Sequence, residues 1–145
     1  MSFKKYQQYP IVQNFKREWA DKTITHAPIY CSVDLRDGNQ ALINPLTVEQ
    51  KLEYFKALVK MGFKQIEVSY PSASDTDFNF TRKLIEEDLV PDDVAIQILI
   101  PAKKEWIKKS VEAMSEVKNG IFHLYNPTNE FQRRVVFQKS DDEII

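Results

Sequence analysis

Segments with strand periodicity and segments with helix periodicity take turns along this chain, and that alternation restricts the available folds more than any other feature. Residues 29–35 read as a strand. Residues 47–61 read as a helix, with Leu52, Phe55, Leu58 and Val59 recurring at three- and four-residue spacing. Thr47 followed by Gln50 is a capping-box signature, and Gly62 suits a left-handed stop. In residues 64–70, Ile66, Val68 and Tyr70 alternate with Gln65, Glu67 and Ser69, the two-residue period of a strand. Ser74 can cap a second helix whose first turn holds Asp75 and Asp77, as the helix dipole prefers. That helix runs to about Glu87 and stops before Pro91. Residues 94–100 form a nearly continuous apolar run, the mark of a strand covered on both faces. Residues 102–117 read as a third helix with Trp106, Ile107, Val111 and Met114 inward, and residues 121–125 as a fourth strand. Ser140 with Asp141, Asp142 and Glu143 opens a fourth helix.

Strand and helix in turn through four strands mean βαβ units and a parallel sheet. The pattern fits both a small open doubly wound sheet and a piece of an eight-stranded barrel. A complete barrel takes about 250 residues, and this chain has 145. Its three glycines, Gly38, Gly62 and Gly120, rule out a G-x-G-x-x-G or G-x-x-x-x-G-K phosphate loop, which disfavours a nucleotide-binding open sheet. Residues 1–28, punctuated by Pro10 and Pro28, read as an irregular arm with a short helical turn near Phe15 to Trp19.

Composition narrows the function classes. Lys and Arg total 20 against 21 Asp and Glu, so no charge excess favours nucleic acid or an acidic membrane. No stretch approaches transmembrane length and the N-terminus does not resemble a signal peptide, so a cytoplasmic location is expected. The one cysteine, Cys31, lies in an apolar run and reads as a small buried hydrophobe rather than a nucleophile.

The densest polar cluster, Asp34-Leu35-Arg36-Asp37-Gly38-Asn39-Gln40, follows directly on the first strand. Ligands of parallel α/β folds bind at the carboxyl ends of strands. Arg36 offers a rigid fork of donors for a carboxylate or a developing oxyanion. Asp37 offers a hard oxygen ligand for a divalent cation. A polar turn with a solvated Arg–Asp pair fits the same spacing. Glu67 lies mid-strand on the face opposite Ile66 and Val68; if helices cover those two, Glu67 points inward and needs a partner, and Arg36 is the candidate. His123, near the end of the fourth strand, reads either as a hydrogen-bonded core residue or as a member of the same mouth. Gln132-Arg133-Arg134 fits a solvated basic turn as well as a phosphate contact.

Leu35-Arg36-Asp37-Gly38-Asn39-Gln40 with Lys51 matches the spacing L-R-[DE]-G-x-Q-x(10)-K. The chain thereby resembles the pyruvate-carboxyltransferase-like barrel superfamily, which includes isopropylmalate, homocitrate and citramalate synthases and hydroxymethylglutaryl-CoA lyase. Within it, Pro71-Ser72-Ala73-Ser74 after Ile66-Glu67-Val68, His123-Leu124-Tyr125-Asn126 and Gln132-Arg133-Arg134-Val135-Val136-Phe137 are similar to the 2-isopropylmalate synthases, over nearly the whole chain. The resemblance implies an α/β fold: the N-terminal half of a (β/α)8 TIM barrel, with four parallel strands and three to four helices over residues 29–145. It implies acyltransferase chemistry in leucine biosynthesis, the condensation of acetyl-CoA with 3-methyl-2-oxobutanoate. It implies Arg36 and Glu67 as catalytic residues, Asp37 as ligand to a divalent metal (Mg2+, or else Mn2+ or Zn2+), and Arg36, Gln40 and His123 as substrate contacts. Lys51 is expected to be structural.

The family's paired metal histidines, an H-x-H, are absent; the chain has only His26 and His123. The 145-residue chain by itself is therefore expected to have little or no activity. A half-barrel is expected to associate with itself or pair with a complementary half. A non-catalytic interaction protein and a related citramalate or homocitrate synthase are the competing readings.

Overall fold

The computed structural model describes Lys22 and residues 24–144 of the chain. The helical turn expected near Phe15 to Trp19 lies outside them. Strands β1 (Cys31–Ser32), β2 (Gln65–Ser69), β3 (Ala95–Pro101) and β4 (Gly120–Tyr125) form one sheet in the order β1-β2-β3-β4, each neighbouring pair parallel. Helices α1 (Val48–Met61), α2 (Asp75–Glu86) and α3 (Lys104–Ala113) connect them, and a short α4 (Asp141–Ile144) follows. Two single turns of π-helix, Asp34–Gly38 and Gln132–Phe137, sit after β1 and after β4.

The strand order never reverses. A doubly wound sheet reverses at a switch point and carries helices on both faces. Here Phe55 and Leu58 of α1, Phe80 and Leu84 of α2, and Met114 at the end of α3 share one core with Ile66, Val68, Ile96, Ile98 and Ile100. All three helices thus cover the same face, the arrangement of half an α/β barrel rather than an open sheet. Full burial of each such side chain contributes roughly 1.5–3 kcal/mol.

Helix boundaries follow local chemistry. Thr47 and Gln50 close both halves of a capping box at α1, and Gly62 ends it at φ 98°. Ser74 accepts from the Asp77 amide at the start of α2.

Three expectations need correction. The first strand is shorter than residues 29–35: Ile29 and Tyr30 are exposed, and the amides of Arg36, Asp37 and Gly38 all turn back onto the Val33 carbonyl. The chain there coils instead of extending. The third helix is shorter than residues 102–117, and its inward face holds the small Ser110 and Ala113 beside the expected Ile107 and Met114. Trp106 and Val111 flank that face and are 38% and 53% exposed. Finally, β3 is fully covered only on the helix side, because Gln97 and Leu99 on the other face are half-buried.

The pairing of β2 with β3 slips by one residue: Glu67 lies opposite Gln97, but Ser69 lies opposite Ile98. This bulge near Val68 twists the strand just beyond Glu67, a device often found beside sites.

Candidate active site

The π-turn places Arg36. Leu35 is fully buried and anchors the turn in the core, so the next side chain is thrown over the open face of the sheet. Its Nε donates to Glu67 Oε1, and its Nη1 donates to Asp37 Oδ1 at 2.8 Å. Asn39 Oδ1 accepts from the Leu46 amide at 2.8 Å and ties down the loop that follows.

Glu67 has no exposed surface. Strand alternation turns it away from Ile66 and Val68, onto the face shared with its register partner Gln97. Its second oxygen, Oε2, accepts from Gln97 Nε2 and lies 2.7 Å from His123 Nδ1. Burial pushes the Glu67 carboxyl up. Hydrogen bonds from His123, Gln97 and Arg36, with the charge of Arg36, outweigh burial and hold it below the usual carboxylate range. The ionised carboxylate can only accept, so His123 carries its proton on Nδ1 and donates. Its Nε2 is then the ring nitrogen without a protein partner among the described residues.

Two nearby groups are held back from ionising. Burial, with the adjacent Tyr125, pushes the Tyr70 phenol up to about 12. Burial also raises the Cys31 thiol, which fits an inert small side chain.

Arg36, Asp37, Glu67 and His123, singled out from the sequence, are therefore joined in one chain of hydrogen bonds. Gln40 does not join their hydrogen bonds. It lines a neighbouring cleft of about 760 Å3 with Arg36, Asn39, Tyr70 and Asp77. Arg133 is engaged by Asp141 at 2.8 Å, which supports the basic-turn reading of residues 132–134.

Gln97 went unnoticed in the sequence. Its signal was there: one amide in the run Ala95-Ile96-Gln97-Ile98-Leu99-Ile100, on the strand beside Glu67. Lys51, fully buried, donates from Nζ to the Leu35 carbonyl at 3.2 Å and to Asp77 Oδ1.

A divalent cation needs several hard oxygens or imidazoles. Of the carboxylates here, both Glu67 oxygens are engaged, and Asp34 accepts from Ser32 Oγ at 2.6 Å. Asp37 is mostly exposed and keeps one oxygen unengaged. Among the described residues no three His, Cys, Asp or Glu side chains gather as a metal requires. The residues present supply one ligand and do not complete a site.

The family described as HMGL-like matches residues 27–145. The chain is 56% identical over 144 residues to a 2-isopropylmalate synthase of Clostridium acetobutylicum, covering 99% of this chain and 26% of that protein. It is 53% identical over 146 residues to one of Helicobacter hepaticus, with the same coverages, and 51% identical over 145 to one of Acetoanaerobium sticklandii. The chain spans about a quarter of the length of these relatives (26% of each).

Proposed function

The chain belongs to the HMGL-like family, and from that premise we propose that the cluster around Glu67 is part of a 2-isopropylmalate synthase site. The reaction is addition of the acetyl-CoA methyl carbon to the ketone of 3-methyl-2-oxobutanoate, followed by hydrolysis that frees coenzyme A. The observation that carries this reading is the guanidinium of Arg36, anchored through Nε and Nη1 by Glu67 and Asp37. Its Nη2 has no protein partner among the described residues and suits an alkoxide developing at the ketone carbon. Glu67 acts by holding Arg36 and His123 in place. His123 Nε2 and Gln40 contact the 2-oxo acid. Asp37 is the residue that would ligate a divalent ion, Mg2+ first, with Mn2+ or Zn2+ as alternatives; such an ion supplies Lewis acidity when bound. Among the described residues no helix is long and apolar enough to cross a membrane; the cytoplasmic location is proposed from the likeness to the bacterial synthases.

The test is a chimera in which residues 1–145 replace the matching segment of the Clostridium acetobutylicum synthase. Thiol release from acetyl-CoA with 3-methyl-2-oxobutanoate is the expected result. Arg36→Lys should lower kcat by roughly 10²-fold, the scale of losing one oxyanion donor. A soluble, folded chimera that releases no thiol overturns the reading. Faster release with pyruvate or 2-oxoglutarate would assign the site to a citramalate or homocitrate synthase instead.

A further inference from the structure

A lysine with no exposed surface is rare and needs compensation for its lost hydration. Lys51 finds it from three directions. Its Nζ donates to the Leu35 carbonyl and to Asp77 Oδ1, and it lies 5.4 Å from the centre of the Phe80 ring. The two hydrogen-bonded partners are not equivalent pieces of scaffold. Leu35 immediately precedes Arg36 within the π-turn. Asp77 spends its other oxygen on the Tyr70 amide at 2.8 Å, and Tyr70 is the first residue after the strand that carries Glu67.

One ammonium on α1 therefore links the π-turn after β1 to the residue that follows β2, through the first turn of α2. These are the two segments whose side chains form the Arg36–Glu67 pair. Stability alone does not call for an ion pair here. Apolar side chains of similar volume in place of a buried ion pair are often neutral or stabilising. What a charge adds at this point is direction: it fixes the Leu35 carbonyl, and so the direction in which Arg36 leaves the turn.

We infer that Lys51 and Asp77 are positioning residues that set the alignment of the Arg36 guanidinium on Glu67. The alignment itself stands on the geometry; its value to catalysis rests on the synthase reading above. Neither residue touches the reacting groups.

The test pairs Lys51→Met with Asp77→Asn. The asparagine keeps an oxygen for the Tyr70 amide while the charge pair is removed. In the 145-residue chain, hydrogen exchange by NMR follows the Arg36 Nε–H, held by Glu67, against the amides of Ile96 and Ile98 in the sheet. The expected result is Arg36 exchange faster by roughly tenfold, the weight of one hydrogen bond, with Ile96 and Ile98 unchanged. Unchanged Arg36 exchange, or a rise at all three sites together, overturns the inference, since a mere scaffold pair moves everything or nothing. Should the paired variant fail to fold, Asp77→Asn alone is expected to show the same selective loss; failure of both assigns the pair to the scaffold and overturns it too. In the chimera, the paired variant should lose kcat at least tenfold with KM for acetyl-CoA unchanged. An active parent with an unaffected variant sinks the catalytic half of the inference. An inactive parent sinks the synthase reading and leaves the exchange result to decide on positioning.

Discussion

A carboxylate with no exposed surface costs several kcal/mol unless its oxygens are engaged, and Glu67 has Arg36 on one oxygen and Gln97 with His123 on the other. Its folded pKa lies below the ordinary value near 4.3. The stability it contributes is therefore complete above about pH 4.3 and is lost as pH falls through the lower folded value. Urea midpoints measured from neutrality into acid should fall for the parent chain. Glu67→Gln should show a shallower fall in that window, and should already be weaker at neutral pH by about 1–3 kcal/mol, because the partly buried Arg36 keeps only the exposed Asp37 as an ionic partner. Parallel curves for the two proteins would show that Glu67 is not the titrating group. At this scale Arg36, Asp37 and Glu67 were legible, since a charge inside an apolar strand or beside a strand end demands an explanation. Gln97 was not, because a neutral amide in an apolar run raises no such demand. Its role exists only through cross-strand register, which no single segment carries.

Elements whose ends are written in short-range chemistry were read within a residue or a few. α1 starts one residue after its Thr47 cap and stops at Gly62, α2 starts after Ser74, and both caps formed as their side chains require. Gly62 sits at φ 98°, and a Cβ there would meet no atom within 4 Å, so the cost of a side chain is purely one of backbone conformation. Gly62→Ala is expected to lower stability by about 1 kcal/mol and Gly62→Asn by less, as thermal melts would register. Equal losses would point to hidden crowding instead. β1 departs from its side-chain pattern for a complementary reason. Residues 29–35 have strand-like side chains, but three amides compete for the Val33 carbonyl and coil the backbone, and side-chain pattern holds no record of that competition. At Gln132–Phe137 the sequence shows a basic turn, and its π-helical winding is a feature of the backbone alone.

For the molecule as a whole, the sequence pattern left the barrel and the open sheet both standing, and the strand order with one-sided helices separates them. Phe122 and Leu124 of β4 are 47% and 56% exposed, and Val135 and Val136 beyond it are exposed as well. Among the described residues the outer edge of β4 has no partner strand. The isolated 145-residue chain should therefore elute above its 17.0 kDa mass in size-exclusion chromatography and release no thiol by itself. Leu124→Lys should shift it toward the monomer. A clean monomer of the parent chain at micromolar concentration would count against the half-barrel reading. The sheet also has an implication for biosynthesis. Since each strand adds beside its predecessor in the chain, none has to be threaded between two that are already paired. The growing polypeptide can lay the sheet down in the order it leaves the ribosome, with the newest edge always the template for the next arrival.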